Sequence, residues 1–380
     1  LWAVADAGEQ AMIGAAHHRA VAEVVAFMER EVAATRTGAT AGDGAVAQVD
    51  VTGLIATAFD HFDSRASDPQ LHTHVVVSNK VRTLFDGKWR SLDSRPLHAA
   101  TVALSELHTA VFADHLTRAL GVGWERRERG ADRNPVWAVA TVPEGLVAEF
   151  SSRSRHIDIE KDRLIAEYEA AHGHAPSRET IIRLRQQATL ATRPDKEVRP
   201  LADLAQEWRT RASRLLGRDA SAWAREAVQV EPVELLRAEG VPLEQIARLG
   251  LAVVAAVADK RTTWSHWNLY AEAARQAMGW RFAATEDREA ITGMIVDAAE
   301  QASIRLTPPE LASSPVAFQR TDGTSVFRPR NAARYSGAAV LAAEDRLLAR
   351  SREQVAPRLA DATIAHALQP QRGRALGDDQ

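Results

Sequence analysis

The chain has 380 residues, a net charge of −3 and no cysteine, and 46% of its residues are hydrophobic and 26% charged. This composition excludes a disordered or fibrous protein, and the missing cysteines exclude disulfides, thiolate metal sites and a cysteine nucleophile. No apolar run reaches the roughly 20 residues that span a bilayer, and no signal peptide opens the sequence, so we expect a cytoplasmic protein without membrane insertion.

The beginning of the chain combines helical and extended patterns. Apolar residues at helical spacing predict a helix over residues 8–34, and a Gly- and Thr-rich linker covers residues 37–44. His17 and His18 are adjacent in the predicted helix and point about 100° apart, so they do not readily face one metal. We interpret both as surface residues. A strand is predicted over residues 46–51.

A β-hairpin is predicted over residues 53–77, where a polar loop separates two extended runs. If the turn lies between residues 66 and 67, His61 falls opposite His72 in the partner strand. His72 and His74 are two residues apart on one strand and therefore share a face. The sequence thus predicts three imidazoles converging on one side of a sheet.

Three imidazoles on adjacent strands make an open metal site, with a position left for water or substrate. The alternative is that His72 and His74 only share the face of an edge strand and that His61 is unrelated. Three nearby carboxylates are candidates for orienting the ring N–H groups, or else are turn and hairpin residues: Asp60, Asp63 and Asp68. For Asp68 the turn interpretation is favoured, because it precedes a proline.

Basic residues accompany the hairpin. Arg65 lies in its loop, and the following segment holds Lys80, Arg82, Lys88 and Arg90, with Trp89 available for base stacking. These residues are candidates for DNA contact, and the alternative is a solvated strand edge, where lysines protect against aggregation. A weaker basic patch is formed by Arg193, Lys196 and Arg199, and Asp195 and Glu197 offset its charge.

Most of the remaining chain is predicted to be helical. The predicted helices cover residues 97–121, 145–171, 177–191, one stretch within 193–217, and then 235–239, 243–260, 267–278, 286–303 and 341–352. His172 and His174 repeat the H-x-H spacing in a Gly/Pro loop, and we interpret them as solvated. A hairpin-like segment is predicted over residues 316–327.

The hairpin sequence resembles a known family. The run from His61 to Asn79, H-F-D-S-R-A-S-D-P-Q-L-H-T-H-V-V-V-S-N, followed by D-G-K-W-R-S-L-D, is similar to the three-histidine motif of MobF-type conjugative relaxases, the TrwC/TraI group of HUH endonucleases. The resemblance covers roughly residues 1–215. It implies an α+β fold, in which an incomplete, relaxase-like antiparallel sheet with a three-histidine hairpin is flanked by helices and followed by a mostly helical domain.

The resemblance also implies a reaction. The family's histidines, here His61, His72 and His74, hold a divalent ion (magnesium, manganese or zinc) that polarises a phosphate of single-stranded DNA at a transfer origin. A tyrosine then nicks the strand by transesterification and the strand is rejoined. The three tyrosines of this chain, Tyr168, Tyr270 and Tyr335, do not match the nucleophile motif. The resemblance therefore implies that the nucleophile lies upstream of Leu1 and that this stretch alone is inactive and poorly stable.

The resemblance suggests three regions and several partners. We expect a relaxase domain over residues 1–216, a mostly helical linking region over 217–371, and the start of a helicase over 372–380. Partners implied are single-stranded transfer-origin DNA, the conjugative secretion machinery and accessory DNA-binding proteins. Two other functions stay open: a non-catalytic, metal-dependent single-stranded DNA-binding module, and an unrelated three-histidine zinc hydrolase with a water nucleophile.

Overall fold

The computed structural model describes residues 1–38, 46–129, 134–195, 197–228, 233–310, 313–320, 322–353 and 360–367. Most of the predicted linker and all of the predicted helicase start (372–380) lie outside these residues. None of the helices in the described ranges is both long and apolar enough to cross a bilayer.

The secondary structure is mixed. The helices are α1 Ala7–Glu31, α2 Ser94–Leu120, α3 Glu144–Glu149, α4 Ser152–His172, α5 Arg178–Ala191, α6 Leu201–Leu216, α7 Ala220–Ala227, α8 Leu243–Ala258, α9 His266–Gln276, α10 Thr285–Gln301, α11 Ala338–Arg352 and α12 Asp361–Ala367. The strands are β1 Ala34–Gly38, β2 Val46–Asp50, β3 Ala56–Asp63, β4 Pro69–Val77, β5 Lys80–Arg82, β6 Trp89–Ser91, β7 Trp124–Arg127, β8 Val136–Val139, β9 Trp264–Ser265, β10 Ile304–Arg305 and β11 Arg334–Ser336.

Most predicted helices are confirmed, and three predictions need correction. The helix predicted over residues 145–171 is broken into α3 and α4, because the backbone at Phe150 leaves the helical region and its ring packs into the core. Residues 37–38, predicted as linker, belong to β1. Residues 235–239 do not form a helix: Leu236 bridges Phe282 in an extended conformation, and a short 3₁₀ turn begins at Ala238.

The strands form small antiparallel sheets, as the predicted α+β class requires. In the described part of the chain, β3 and β4 pair only with each other. An isolated two-stranded hairpin is marginally stable, so its packing on other elements matters. One side lies over an apolar cavity of about 880 Å³ between β4, α1 and α2, while Phe59 and Val76 are 53% and 59% exposed. The expectation that this chain is poorly stable stays a prediction.

The largest hydrophobic core joins helices from the first and second halves of the chain. It is built from α1 and α2 on one side and from α8, α9 and α10 on the other. A buried ion pair reinforces the contact, because Arg288 of α10 donates Nη2 to an Asp114 carboxylate oxygen of α2 at 2.8 Å. The core therefore crosses the predicted domain boundary at residue 216. The helices after that boundary support the helix, α1, on which the hairpin rests.

Candidate metal centre

The three predicted histidines converge on one side of the β3–β4 hairpin. His61 pairs with His72 across the strands, and His74 pairs with Phe59. The ring centroids are 5.2 Å apart for His61 and His72, 4.6 Å for His61 and His74, and 5.1 Å for His72 and His74. One potential ligand atom from each ring lies within 4.8 Å of the others. The predicted register and convergence are thus confirmed.

Local features of the hairpin fix this geometry. The register shifts after His61, so that Asp63 pairs with Pro69, and the ring of the intervening Phe62 stacks on Trp2 with centroids 5.7 Å apart. The loop closes tightly at Ser67, whose φ of 58° lies in the left-handed region. A non-glycine residue in that region costs energy and persists where the surroundings hold it. Here the indole of Trp208 on α6 donates to the Ser67 carbonyl at 2.8 Å.

One imidazole is oriented by the backbone. Nδ1 of His72 lies 2.8 Å from the carbonyl oxygen of Gln70. Because a carbonyl only accepts, Nδ1 carries the proton and Nε2 keeps its lone pair for a metal. This contact could not be predicted from sequence, because a hydrogen bond to the carbonyl two residues earlier has no signature in residue type.

The structure places the three candidate orienting carboxylates differently. Asp63 lies beside the histidines and lines their cavity. Asp68 is 2% exposed and accepts from the Ser152 backbone N–H at 2.8 Å and from Arg211 at 3.3 Å. It therefore anchors the hairpin loop to α4 and α6. The described contacts of Asp68 support the turn interpretation over a role in orienting a ring N–H, because these two partners use its carboxylate.

Asp60 belongs to a network on the opposite side of the hairpin. Its carboxylate accepts from Thr73 Oγ1 at 2.6 Å and lies 2.9 Å from His18 Nε2. The Thr73 hydroxyl is 2.9 Å from His17 Nε2. The hydrogen bond from Thr73, followed by the interactions with His18, lowers the pKa of Asp60. This network attaches the hairpin to α1.

The prediction that His17 is a surface residue is wrong, because His17 is buried. The hairpin covers it, and it packs near His108 and Phe112 of α2. Burial, followed by the neighbouring His108 and His18, lowers the pKa of His17. The sequence did not reveal this, since the covering strand is 56 residues away in sequence.

The histidines line an open cavity of about 460 Å³. Arginine side chains from two directions border it: Arg65 from the hairpin loop, and Arg193 and Arg199 from the segment after α5. The other predicted DNA contacts do not line this cavity and lie on the β5–β6 hairpin: Lys80, Arg82, Lys88, Trp89 and Arg90. Arg90 is held by Asp86 through two contacts of 2.6 and 2.7 Å. Trp89 is 59% exposed.

The three tyrosines all lie in described segments, and none lines this cavity. Tyr168 stacks on His172 at the exposed end of α4. Tyr270 is buried in the core. Tyr335 donates to Glu300 at 2.9 Å, and burial together with that carboxylate raises its pKa to about 12. None of the three is positioned to attack a group held by the histidines.

The donor set fits a divalent metal ion. Three imidazoles, without a carboxylate among them, suit zinc, copper or nickel by ligand preference. The ligand atoms lie within 4.8 Å of one another, and the open cavity leaves further coordination positions for water or substrate.

Comparison with known proteins decides the family. The model of the TrwC relaxase family matches residues 1–215, which is more than half of the chain. The chain belongs to the TrwC relaxase family. The resemblance read from the sequence is thereby confirmed.

Relatives of this TrwC relaxase family chain include the Multifunctional conjugation protein TraI of Escherichia coli. It is 31% identical over 144 residues, which are 36% of this chain and 8% of TraI. Among solved structures, TrwC complexed with a 27-mer DNA comprising the recognition hairpin and the cleavage site is 31% identical, with a TM-score of 0.43, covering 56% of this chain and 68% of that chain. A copper-bound complex of TrwC with OriT DNA has the same identity and TM-score, covering 56% and 65%.

Proposed function

We propose that this chain provides the metal-binding part of a conjugative relaxase, which nicks and rejoins single-stranded DNA at a transfer origin. The observation that carries the proposal is the convergence of His61, His72 and His74 in an open, arginine-bordered cavity of a TrwC-family chain. Under this proposal the protein works in the cytoplasm with the conjugative secretion machinery and accessory DNA-binding proteins.

In this proposal the residues of the cavity form a binding site for a phosphodiester. The carbonyl of Gln70 fixes the tautomer of His72, and the hairpin register holds the other two imidazoles beside it. Asp63 is the carboxylate we propose for orienting a ring N–H, and Arg65 is positioned to bind a DNA phosphate. A divalent ion bound here supplies Lewis-acid stabilisation of charge on the phosphoryl oxygens.

The nucleophile comes from outside residues 1–380 in this proposal, because none of the chain's tyrosines lines the cavity. Its phenolic oxygen attacks the phosphorus, and the bond from phosphorus to the 3′ oxygen breaks. The products are a 5′-phosphotyrosine link and a free 3′-hydroxyl, and attack by that hydroxyl rejoins the strand. During attack the phenol loses its proton to solvent or a base and the departing 3′ oxygen takes up a proton; rejoining reverses both proton transfers.

We propose magnesium, manganese or zinc as the ion. An all-imidazole site favours zinc over manganese, and manganese over magnesium, because imidazole is a softer ligand than oxygen. We therefore expect zinc to bind most tightly.

The exposed residues of the β5–β6 hairpin extend the proposed DNA path. Lys80, Arg82 and Lys88 are exposed, and Trp89 offers a face for base stacking. Arg90 is the weakest of these candidates, because Asp86 already occupies its guanidinium.

A second function is favoured by the position of the tyrosines. A chain with a metal site and no tyrosine in the cavity can hold single-stranded DNA without cutting it. This binding-module alternative and the relaxase proposal differ in one product, the covalent adduct between protein and DNA.

The test uses the product of the complete reading frame and labelled oligonucleotides tiled across the DNA that flanks its gene. The relaxase proposal predicts a metal-dependent covalent adduct on a denaturing gel, which a chelator and the His74→Ala substitution abolish. His174→Ala is the matched control, because His174 has the same H-x-H spacing and lies outside the cavity. Metal-dependent DNA binding without an adduct from the complete protein would support the binding module instead.

A further inference from the structure

The histidine cavity has a second wall, distant in sequence from the hairpin. Arg193, Glu197, Val198 and Arg199 line the same cavity as the three imidazoles. These residues lie between the end of α5 and the start of α6. The cavity is therefore bordered by the hairpin loop on one side and by this segment on the other.

Hydrogen bonds hold this second wall against the hairpin. Arg153, in the first turn of α4, donates to the Thr192 carbonyl at 2.6 Å, to the Thr192 hydroxyl at 2.8 Å and to the Thr189 carbonyl at 2.5 Å. The preceding residue, Ser152, donates its backbone N–H to Asp68 of the hairpin loop. One turn of α4 thus connects the end of α5 to the loop beside the histidines.

The far end of the segment is fixed by α6. Arg199 donates Nη1 to Glu207 of α6 at 2.7 Å, and this contact raises the pKa of Arg199. The same helix holds the hairpin loop through Trp208 and Arg211. Both walls therefore share one support, and their separation is set by α4 and α6.

The charges of the cavity suit a phosphodiester. Its cations are Arg65, Arg193 and Arg199, and its carboxylates are Asp60, Asp63 and Glu197. The Asp60 carboxylate is paired with His18 and Thr73, and the Arg199 guanidinium is paired with Glu207 through Nη1, so these two charges are partly neutralised by partners of their own. Within the part of the chain that the structure describes, the Arg193 side chain has no ion pair, and a bound divalent ion adds two positive charges. The cavity is net positive when the metal is present.

We propose that Arg193 and Arg199 bind the phosphates that flank the scissile phosphate, and so set the path of the single strand across the three histidines. The proposal rests on the proposed function. A guanidinium matches a phosphate with two parallel N–H groups. The two arginines are six residues apart on a wall fixed relative to the metal site, so they position the strand and not merely attract it.

The test compares Arg193→Ala/Arg199→Ala with Arg178→Ala/Arg183→Ala in the 380-residue chain. The control arginines are exposed on α5 and do not line the cavity. A fluorescein-labelled oligothymidylate is titrated in the presence of zinc between about 50 and about 200 mM salt, because each phosphate contact with a single strand contributes about 0.7 to the slope of log K against log salt. The slope should fall by about 1.4 in the cavity variant and stay unchanged in the control.

Zinc titration and urea unfolding of the same proteins separate the possible causes. Unchanged zinc affinity and unfolding midpoint, with a reduced salt slope, support phosphate contacts by the two arginines. A slope equal to that of the control variant overturns the proposal, and so does a parallel loss of zinc affinity, which indicates a structural role. A failure of the proposed function would give another result, because the His72→Ala/His74→Ala variant would then still bind zinc.

Discussion

Replacing Asp68 by asparagine tests whether this residue anchors the hairpin loop or orients a metal ligand. The carboxylate is buried and accepts from Ser152 and from two nitrogens of Arg211. Asparagine keeps one acceptor oxygen for Ser152 and removes the charge that faces Arg211. A hydrogen bond to a charged group contributes about 1.5–3 kcal/mol. Arg211 retains its contacts with Glu149, so we expect a loss of about 2 kcal/mol in the free energy of unfolding.

The assay pairs urea unfolding with zinc titration of Asp68→Asn and Asp63→Asn. Loss of an outer-shell partner weakens metal binding by roughly 10–100-fold. We expect Asp68→Asn to lower the urea midpoint with a much smaller effect on zinc affinity, and Asp63→Asn, inside the cavity, to do the reverse. An unchanged midpoint with tenfold weaker zinc binding in Asp68→Asn would refute the anchoring role and support the other candidate role, in which Asp68 orients a ring N–H.

Four further substitutions, one of them a control, test the fold by urea unfolding. Asp114→Asn leaves Arg288 buried without its counter-charge and should lower the free energy of unfolding by about 3–5 kcal/mol. An unchanged urea midpoint would contradict this. Gly250→Ala places a Cβ 2.7 Å from that of Ala298 and should lower the free energy of unfolding by about 1–3 kcal/mol. Gly293→Ala is the control: a Cβ there has no neighbour within 4 Å, so this substitution should not destabilise the protein. Burial lowers the pKa of His108, so the unfolded chain binds more protons than the folded chain below about pH 6.5. The free energy of unfolding therefore falls below that pH, by at most about 1.4 kcal/mol per pH unit. His108→Leu should reduce this slope.

The metal cluster could be predicted from sequence because hairpin geometry is local. Side chains alternate along a strand, so the turn position alone places His61 opposite His72 and on the same face as His74. The residues that support the cluster could not be predicted in this way. Asp68 contacts Ser152 and Arg211, which are 84 and 143 residues away in sequence.

Contacts between residues distant in sequence are also the reason why the second wall of the cavity could not be predicted. Arg193 and Arg199 form a weak patch in sequence, because acidic neighbours offset their charge. Their importance follows from their position beside the histidines, which depends on the packing of α4, α5 and α6. The break between α3 and α4 was equally hidden, since the sequence around Phe150 has no glycine or proline to end a helix.

His61, His72 and His74 are expected to bind one divalent metal ion together. Calorimetric titration with zinc tests this expectation most directly, on the 380-residue chain and on two double variants, His72→Ala/His74→Ala and His172→Ala/His174→Ala. We expect the parent chain and the second variant to bind one equivalent of zinc, and the first variant to lose this binding. Equal zinc binding by all three proteins would contradict this expectation.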